Sequence, residues 1–233
     1  SADGGTIKLD GNYPVGTGNV ALGDTALDSL TSGGNNTAVG TEALTSNASG
    51  NANTAMGRAV LNSTTGSQNS GFGSLALYDN TSGQYNTALG AEALTNNTTA
   101  SNNTAVGYQA GYANTTGTFN SMFGQEALST NTTGSYNSAF GNLALEKNTT
   151  ANSNTGIGYK ALFANTTGAS NTTVGTNSLD ANTTGSNNVA MGQSALGTST
   201  TGSYNTALGA NALVLNTTAS NNTAVGYQAG YTN

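Results

Sequence analysis

The side chains that most often carry enzyme chemistry are scarce or absent in this sequence. It contains no histidine and no cysteine, which excludes serine–histidine triads and the usual nitrogen and sulfur ligands of metals. Glu42, Glu92 and Glu126 each stand two residues after a glycine that recurs along the chain. Their separation of about 10–15 Å is too large for a retaining carboxylate pair. We predict no enzyme activity, no cofactor and no metal. A cation-binding ring of one such glutamate in a trimer is the alternative to simple solvating charges.

The most regular polar position is an asparagine four residues before the recurring glycine. Asparagine tolerates turn geometry and bonds nearby backbone groups, and stacked amides can bond from one repeat to the next. A ligand-binding ladder is the alternative to the structural ladder that we predict. Glycosylation sequons, for example at Asn97 and Asn165, are interpreted as incidental. The predicted ladder and its glycines are Asn36, Asn103, Asn137, Asn188, Gly40, Gly107, Gly141 and Gly192.

Tyrosines and threonines also recur at fixed places and could contact other molecules. Tyrosine beside asparagine and threonine suits contact with a glycan or a protein receptor, whereas packing between repeats is the structural alternative. Threonine fills the ninth position before the glycine in ten consecutive repeats, from Thr64 to Thr217, which resembles the columns of ice-binding solenoids. The predicted surface-contact residues are Tyr85, Tyr108, Tyr136, Tyr204 and Tyr227.

All these positions belong to one repeat that covers most of the chain. Thirteen glycines follow one another at steps of seventeen residues, apart from a sixteen-residue step between Gly57 and Gly73. Each repeat reads close to Asn-Thr-Ala-Val-Gly-x-x-Ala-Leu, followed by a polar stretch near Asn-Thr-Thr-Gly-Ser. Many glycines, asparagines and threonines disfavour helix, and a short fixed period is typical of solenoids. We predict an all-β parallel β-solenoid of about thirteen coils.

The domain organisation follows from the same repeat. Residues 1–15 precede the array and are predicted to be an N-terminal lead-in or cap. Residues 16–233 are predicted to form a single array. Residues 97–112 and 216–231 are identical and 119 residues apart, which is seven repeats. We interpret this as duplication of a seven-coil block.

The residue before each repeat glycine is always apolar, and two residues before the glycine stands mostly alanine. Neighbouring strand residues point to opposite faces, so one face carries small side chains and the other large ones. The coil interior should have room for Ala, Gly and Thr, which leaves the larger Val, Leu, Phe and Met side chains to another surface. A continuous apolar stripe usually marks an interface. The predicted oligomer interface is Val39, Val106, Phe123, Phe140, Ile157, Met191 and Leu208.

Composition excludes several classes of partner. Charged residues make up 6% of the chain, the net charge is −6, and the only cations are Lys8, Arg58, Lys147 and Lys160. Four scattered cations cannot follow a phosphate backbone, so we predict no nucleic-acid binding. No run of about 18 apolar residues occurs, so we predict no membrane insertion by this segment.

The repeat resembles the head repeat of trimeric autotransporter adhesins, the YadA-like β-roll. The segments 19–23 (Asn-Val-Ala-Leu-Gly) and 188–192 (Asn-Val-Ala-Met-Gly) match its motif closely, and the resemblance covers residues 19–229. Similar repeats occur in phage tail fibres and other surface fibres. Two departures are a longer coil and a threonine or serine in place of the first valine, as in Thr37 and Ser138. The resemblance implies a left-handed β-roll, a homotrimer, and an extracellular place on a bacterial surface or a virion.

We therefore predict a structural or adhesive segment of an extracellular fibre, which mediates surface attachment as a rigid trimeric rod. One alternative is a self-assembling surface filament, because the last repeat, residues 224–233, lacks a complete cap and bare solenoid ends invite addition. A second alternative is an ice-binding solenoid.

Overall fold

The computed structural model describes residues 7–8 and 16–232, and these residues are all-β. Short strands joined by turns make up the chain, and the described part holds no helix long and apolar enough to cross a bilayer. Backbone contacts divide the chain into two compact units, Ser1–Thr116 and Gly117–Asn233. The predicted lead-in, residues 1–15, lies outside the described residues except for Ile7–Lys8.

The first unit begins with strand β1, which pairs antiparallel with β2. From β2 to β7 each strand pairs in parallel with the next one along the chain, so consecutive coils stack directly. Each strand residue lies beside the residue seventeen positions later, apart from a sixteen-residue shift between β4 and β5. The strands are β1 (Ile7–Lys8), β2 (Val20–Leu22), β3 (Thr37–Val39), β4 (Thr54–Met56), β5 (Ser70–Phe72), β6 (Thr87–Leu89) and β7 (Thr104–Val106).

The second unit repeats this arrangement with seven parallel strands in chain order. The predicted parallel β-solenoid with a seventeen-residue repeat is therefore confirmed within each unit. A single array over residues 16–233 stays a prediction. The strands are β8 (Ser121–Phe123), β9 (Ser138–Phe140), β10 (Thr155–Ile157), β11 (Thr172–Val174), β12 (Val189–Met191), β13 (Thr206–Leu208) and β14 (Thr223–Val225).

Hydrogen bonds between coils continue through the turns as well as the strands. In the coil around Gly40, the Gly40 N–H donates back to Leu22 O at 2.8 Å, and the Leu44 N–H donates forward to Val60 O at 3.0 Å. The same alternation recurs in later coils, as in Gly141 N to Phe123 O at 2.7 Å. Each coil is therefore bonded to both of its neighbours around most of its circumference, as a solenoid requires.

The repeat glycine is fixed by the distance between coils. Gly141 has a φ of +138°, and a Cβ built on it would lie 2.5 Å from Gly158 O in the next coil. No side chain can approach a carbonyl that closely, so stacking and backbone conformation both demand glycine.

The leucine that follows the repeat glycine by four residues does not lie where the sequence predicts. The leucine four residues after the glycine, expected to need an outer surface, is completely buried inside the coil, as at Leu44 and Leu145. The reason is that the segment after the glycine is a turn rather than a strand. Glu42 and Leu44 both have left-handed φ values, 61° and 54°, which breaks strand alternation and lets Ala43 and Leu44 both face inward.

The sixteen-residue step is absorbed in the polar loop. Where other coils have a buried asparagine three residues before Gly50 or its equivalents, this coil has Thr64 two residues before Gly66. The Gly66 N–H donates to Thr64 Oγ1 at 3.2 Å, which is the tighter turn that serine and threonine form. The coil thus loses one residue without interrupting the stack.

A pair of glycine substitutions separates strain from steric overlap. A Cβ on Gly209 would lie 2.4 Å from Gly226 O, whereas a Cβ on Gly226 meets only Ala229 Cβ at 3.8 Å, and both glycines have φ near +130°. We expect Gly226→Ala to cost about 1–3 kcal/mol from backbone strain alone. Gly209→Ala should cost clearly more, measured by urea unfolding followed by circular dichroism. Equal losses would show that coil spacing does not select glycine.

Candidate interaction surface

The asparagine four residues before the glycine forms a hydrogen-bonded ladder inside each unit. In the second unit, Asn188 N donates to Asn171 Oδ1 at 3.0 Å, and Asn205 N donates to Asn188 Oδ1 at 2.9 Å. The four predicted members are completely buried, and they bond neighbouring coils and loop carbonyls. They are Asn36, Asn103, Asn137 and Asn188.

A second asparagine ladder runs beside the first, seven residues after the glycine. This residue opens the polar stretch that follows the Ala-Leu pair of the repeat, and it is completely buried. Asn165 Nδ2 donates to Asn148 Oδ1 at 2.9 Å, and Asn182 Nδ2 donates to Asn165 Oδ1 at 2.8 Å. The signal that could have revealed it is its spacing, since asparagine recurs there at Asn47, Asn80, Asn97, Asn114, Asn131, Asn148, Asn165, Asn182 and Asn216.

Both ladders converge on one backbone carbonyl in the coils that carry both asparagines. Gly168 O accepts from Asn154 Nδ2 at 2.8 Å and from Asn165 Nδ2 at 2.9 Å. The same pair of bonds reaches Ala100 O from Asn86 and Asn97 at 2.8 and 3.0 Å. The amides are therefore used to satisfy buried backbone and are not available to an external ligand.

Two other sequence candidates are also occupied internally. The sequon residues Asn97 and Asn165 belong to the second ladder and are fully buried, so the folded chain does not present them for glycosylation. In the threonine column, Thr98 Oγ1 donates to Thr115 O at 3.0 Å, and Thr166 Oγ1 donates to Thr183 O at 3.0 Å. These hydroxyls bond the next coil, which favours a structural role for the column over ice binding.

The outward face of the strands carries the predicted interface residues. We call the residues directly before the repeat glycines the outer apolar column. Phe123 and Phe140 are 36% and 38% exposed, and their rings stack with centroids 4.8 Å apart. Large apolar side chains are thus partly exposed in coil after coil along each unit. The structure places Val39, Val106, Phe123, Phe140, Ile157, Met191 and Leu208 in this column, Val39 and Val106 being half-buried.

Aromatic residues border this strand face on both sides. Phe119 and Tyr136 lie five residues before their glycines and stack at 5.2 Å, so packing between coils and surface exposure occur together. Tyr159, which follows Gly158, is a further exposed aromatic that the sequence interpretation did not single out. The five predicted contact residues are all exposed: Tyr85, Tyr108, Tyr136, Tyr204 and Tyr227.

Charged side chains occupy one part of the coil, the six residues after the repeat glycine, which we call the charged corner. This segment begins beside the strand face and does not include it. Every charged residue between positions 16 and 232 lies within the six residues after a repeat glycine. The predicted glutamates belong to this corner, where Glu92 Oε2 accepts from Gln109 Nε2 at 2.6 Å. Among the described residues no group of three or more potential metal-ligating side chains comes together. The outward strand face is thus free of charge throughout the described array.

Both lysines of the second unit belong to this corner. Lys147 Nζ bonds Glu146 Oε1 at 2.6 Å, and both Lys147 and Lys160 approach the Phe163 ring, with Nζ 5.9 and 5.2 Å from its centroid. Burial raises the pKa of the Asp180 carboxyl, while backbone hydrogen bonds and the Lys160 ammonium lower it by less. This cluster therefore brings lysine, glutamate, aspartate and aromatic side chains together, although Glu146 Oε2 is buried without a hydrogen-bond partner among the described residues.

No protein-family model, curated protein or solved structure matches this chain.

Repairing an interruption in the second ladder should stabilise the coil. Ser199 stands where an asparagine is expected, and Ser199 Oγ and Asn182 Oδ1 are buried without hydrogen-bond partners among the described residues. We expect Ser199→Asn to raise the free energy of unfolding by about 1–3 kcal/mol, because a buried acceptor gains a donor. Ser199→Ala, measured alongside by urea unfolding, removes the hydroxyl without supplying a donor and should gain less. Loss of stability in Ser199→Asn would contradict the ladder.

The raised pKa of Asp180 predicts a pH dependence of stability. The folded chain holds this proton over a window above the ordinary aspartate value of 3.8, where the unfolded chain has released it. Stability contributed by the protonated carboxyl is therefore lost as pH rises through the window. We expect Asp180→Asn to flatten the stability curve between pH 4 and 7, whereas Asp24→Asn, on an exposed residue, should leave its shape unchanged. An unaltered curve in Asp180→Asn would refute this.

Proposed function

We propose that this chain is a structural and adhesive segment of an extracellular fibre, in which three copies associate through their outward strand faces. The observation that carries the proposal is the charge-free strand face with its outer apolar column. Interfaces are depleted in charge at their centre and enriched in aromatic residues and methionine, and this face has that composition. A solvated surface of a free monomer would not need to keep every charge in one corner.

The dimensions of the face fit an interface between copies. Three strand residues span about 10 Å, and seven stacked coils span about 34 Å, so one unit offers about 340 Å². This area is smaller than the roughly 800 Å² per partner of a stable protein interface, so the strand face would form the apolar centre of the contact and its edges would complete it.

The threefold arrangement comes from the resemblance to trimeric adhesin heads and is supported by the shape of the column. A stripe one side chain wide can be covered completely when it lies at an axis shared by several copies. In a closed ring each copy uses two different edges of its face, one for each neighbour. Repeated weak surface contacts on three chains would then give firm attachment through avidity.

The decisive measurement is the mass in solution. Light scattering after size exclusion should give near three times the 22.9 kDa of the chain. Met191→Lys places a charge in the outer apolar column and should shift the protein to monomer, because an unpaired buried charge is strongly disfavoured. Thr184→Lys, in the exposed polar loop of the same coil and away from the strand face and its edges, should remain trimeric.

Circular dichroism of both variants should match the parent, since neither side chain enters the coil interior. The monomeric variant should also bind more weakly to any surface that captures the trimer. A monomeric parent chain at micromolar concentration would overturn the proposal.

A further inference from the structure

Two edges border the outward strand face. We call the residue five positions before the repeat glycine the leading flank and the residue directly after that glycine the trailing flank. Six exposed tyrosines occupy these flanks and are 45–73% exposed. Tyr85, Tyr136 and Tyr204 lie on the leading flank, and Tyr108, Tyr159 and Tyr227 lie on the trailing flank.

The six tyrosines form three pairs with one spacing. Each leading-flank tyrosine is followed 23 residues later by a trailing-flank tyrosine, which is one coil and six residues further along the chain. The Tyr204/Tyr227 pair repeats the Tyr85/Tyr108 pair through the 119-residue duplication. The Tyr136/Tyr159 pair lies in a different sequence context, so it is a second, independent occurrence of the spacing.

The members of a pair do not meet within one chain. They lie on opposite edges of the strand face, with strands such as β9 and β10 between them. Among the described residues no ring contact joins Tyr136 to Tyr159. The Tyr136 ring stacks on Phe119, and the Lys160 ammonium lies over the Tyr159 ring. The spacing therefore has no explanation in the packing of the single chain.

Where one flank of a coil carries an aromatic residue, the other flank of that coil carries a small or non-aromatic residue. Tyr85 and Tyr204 share their coils with Ala91 and Ala210, and Tyr159 shares its coil with Ser153. No coil carries an aromatic residue on both flanks. Such alternation leaves space for side chains that arrive from a neighbouring molecule.

We infer that, in the assembly, each leading-flank tyrosine of one copy packs against the paired trailing-flank tyrosine of the adjacent copy. This rests on the proposed trimer, because in a cyclic ring the leading edge of each copy meets the trailing edge of the next. An offset of one coil and six residues corresponds to about 6–7 Å along the stacking axis. This offset between backbone positions is short enough for two tyrosine side chains to span and bring their rings to the 4.5–7 Å centroid distance of aromatic pairs.

The pairs would give the trimer specific contacts at the edges of the strand face. Closure of the ring already places the three copies at the same height along the axis, so the tyrosines need not set the axial position. The outer apolar column supplies contacts that many apolar side chains could make. The tyrosine pairs would add contacts that only a second copy with the same spacing can match.

The absence of cysteine from the chain allows a direct test. We would prepare Tyr136→Cys/Tyr159→Cys and treat the trimer with a short bismaleimide. We expect a covalent trimer on denaturing gels, since each copy would join its two neighbours. The matched control is Tyr136→Cys/Gln193→Cys, whose second cysteine lies on the same trailing flank two coils, or about 10 Å, further along. We expect little covalent trimer from the control.

Each outcome decides a separate point. A monomeric parent by light scattering would defeat the proposed trimer itself. A trimeric parent with equal cross-linking in both variants, or with none in Tyr136→Cys/Tyr159→Cys, would overturn the tyrosine pairing alone. If that variant does not fold, Tyr204→Cys/Tyr227→Cys tests the equivalent pair. Tyr136→Ala/Tyr159→Ala should also raise the trimer dissociation constant at least tenfold, and an unchanged constant counts against the pairing.

Discussion

The carbonyl oxygen at the end of each polar loop is the group on which the rest of the coil depends. In the coil that contains Gly168, this oxygen lies inside the solenoid and accepts hydrogen bonds from Asn154 and Asn165. A buried carbonyl without partners would cost as much as a lost hydrogen bond, and the cost would recur in every coil. Two asparagine ladders therefore exist side by side, and the interior can be polar without being unsatisfied.

This arrangement restricts variation inside the coil and moves it to the surface. Where an interior residue does change, a neighbour changes with it. Val60 replaces the usual alanine, and Gly71 in the next coil replaces another; a Cβ on Gly71 would lie 2.4 Å from Val60 Cγ1. Thr64 likewise takes an asparagine position only where the loop is one residue shorter. The outer surfaces are free of this constraint, so they can diverge by function.

The outer surfaces are divided by chemistry. Charge lies in the segment after the glycine, where Lys147 bonds Glu146 and both Lys147 and Lys160 approach the Phe163 ring. Apolar and aromatic side chains lie on the strand face and its edges. This division supports the proposed role in assembly and attachment. The same face recurs in each coil, so many weak contacts could act together.

The sequence by itself determined the solenoid, its period and its glycine column, because periodicity is visible in one dimension and stacked coils must repeat. It also indicated that Phe123, Phe140 and Met191 need a surface outside the coil. Only the tertiary structure decided that Leu44 and Asn47 face inward. Their direction depends on left-handed backbone at Glu42 and Leu44, residue types that give no local signal of that conformation and adopt it because bonds to both neighbouring coils hold them there.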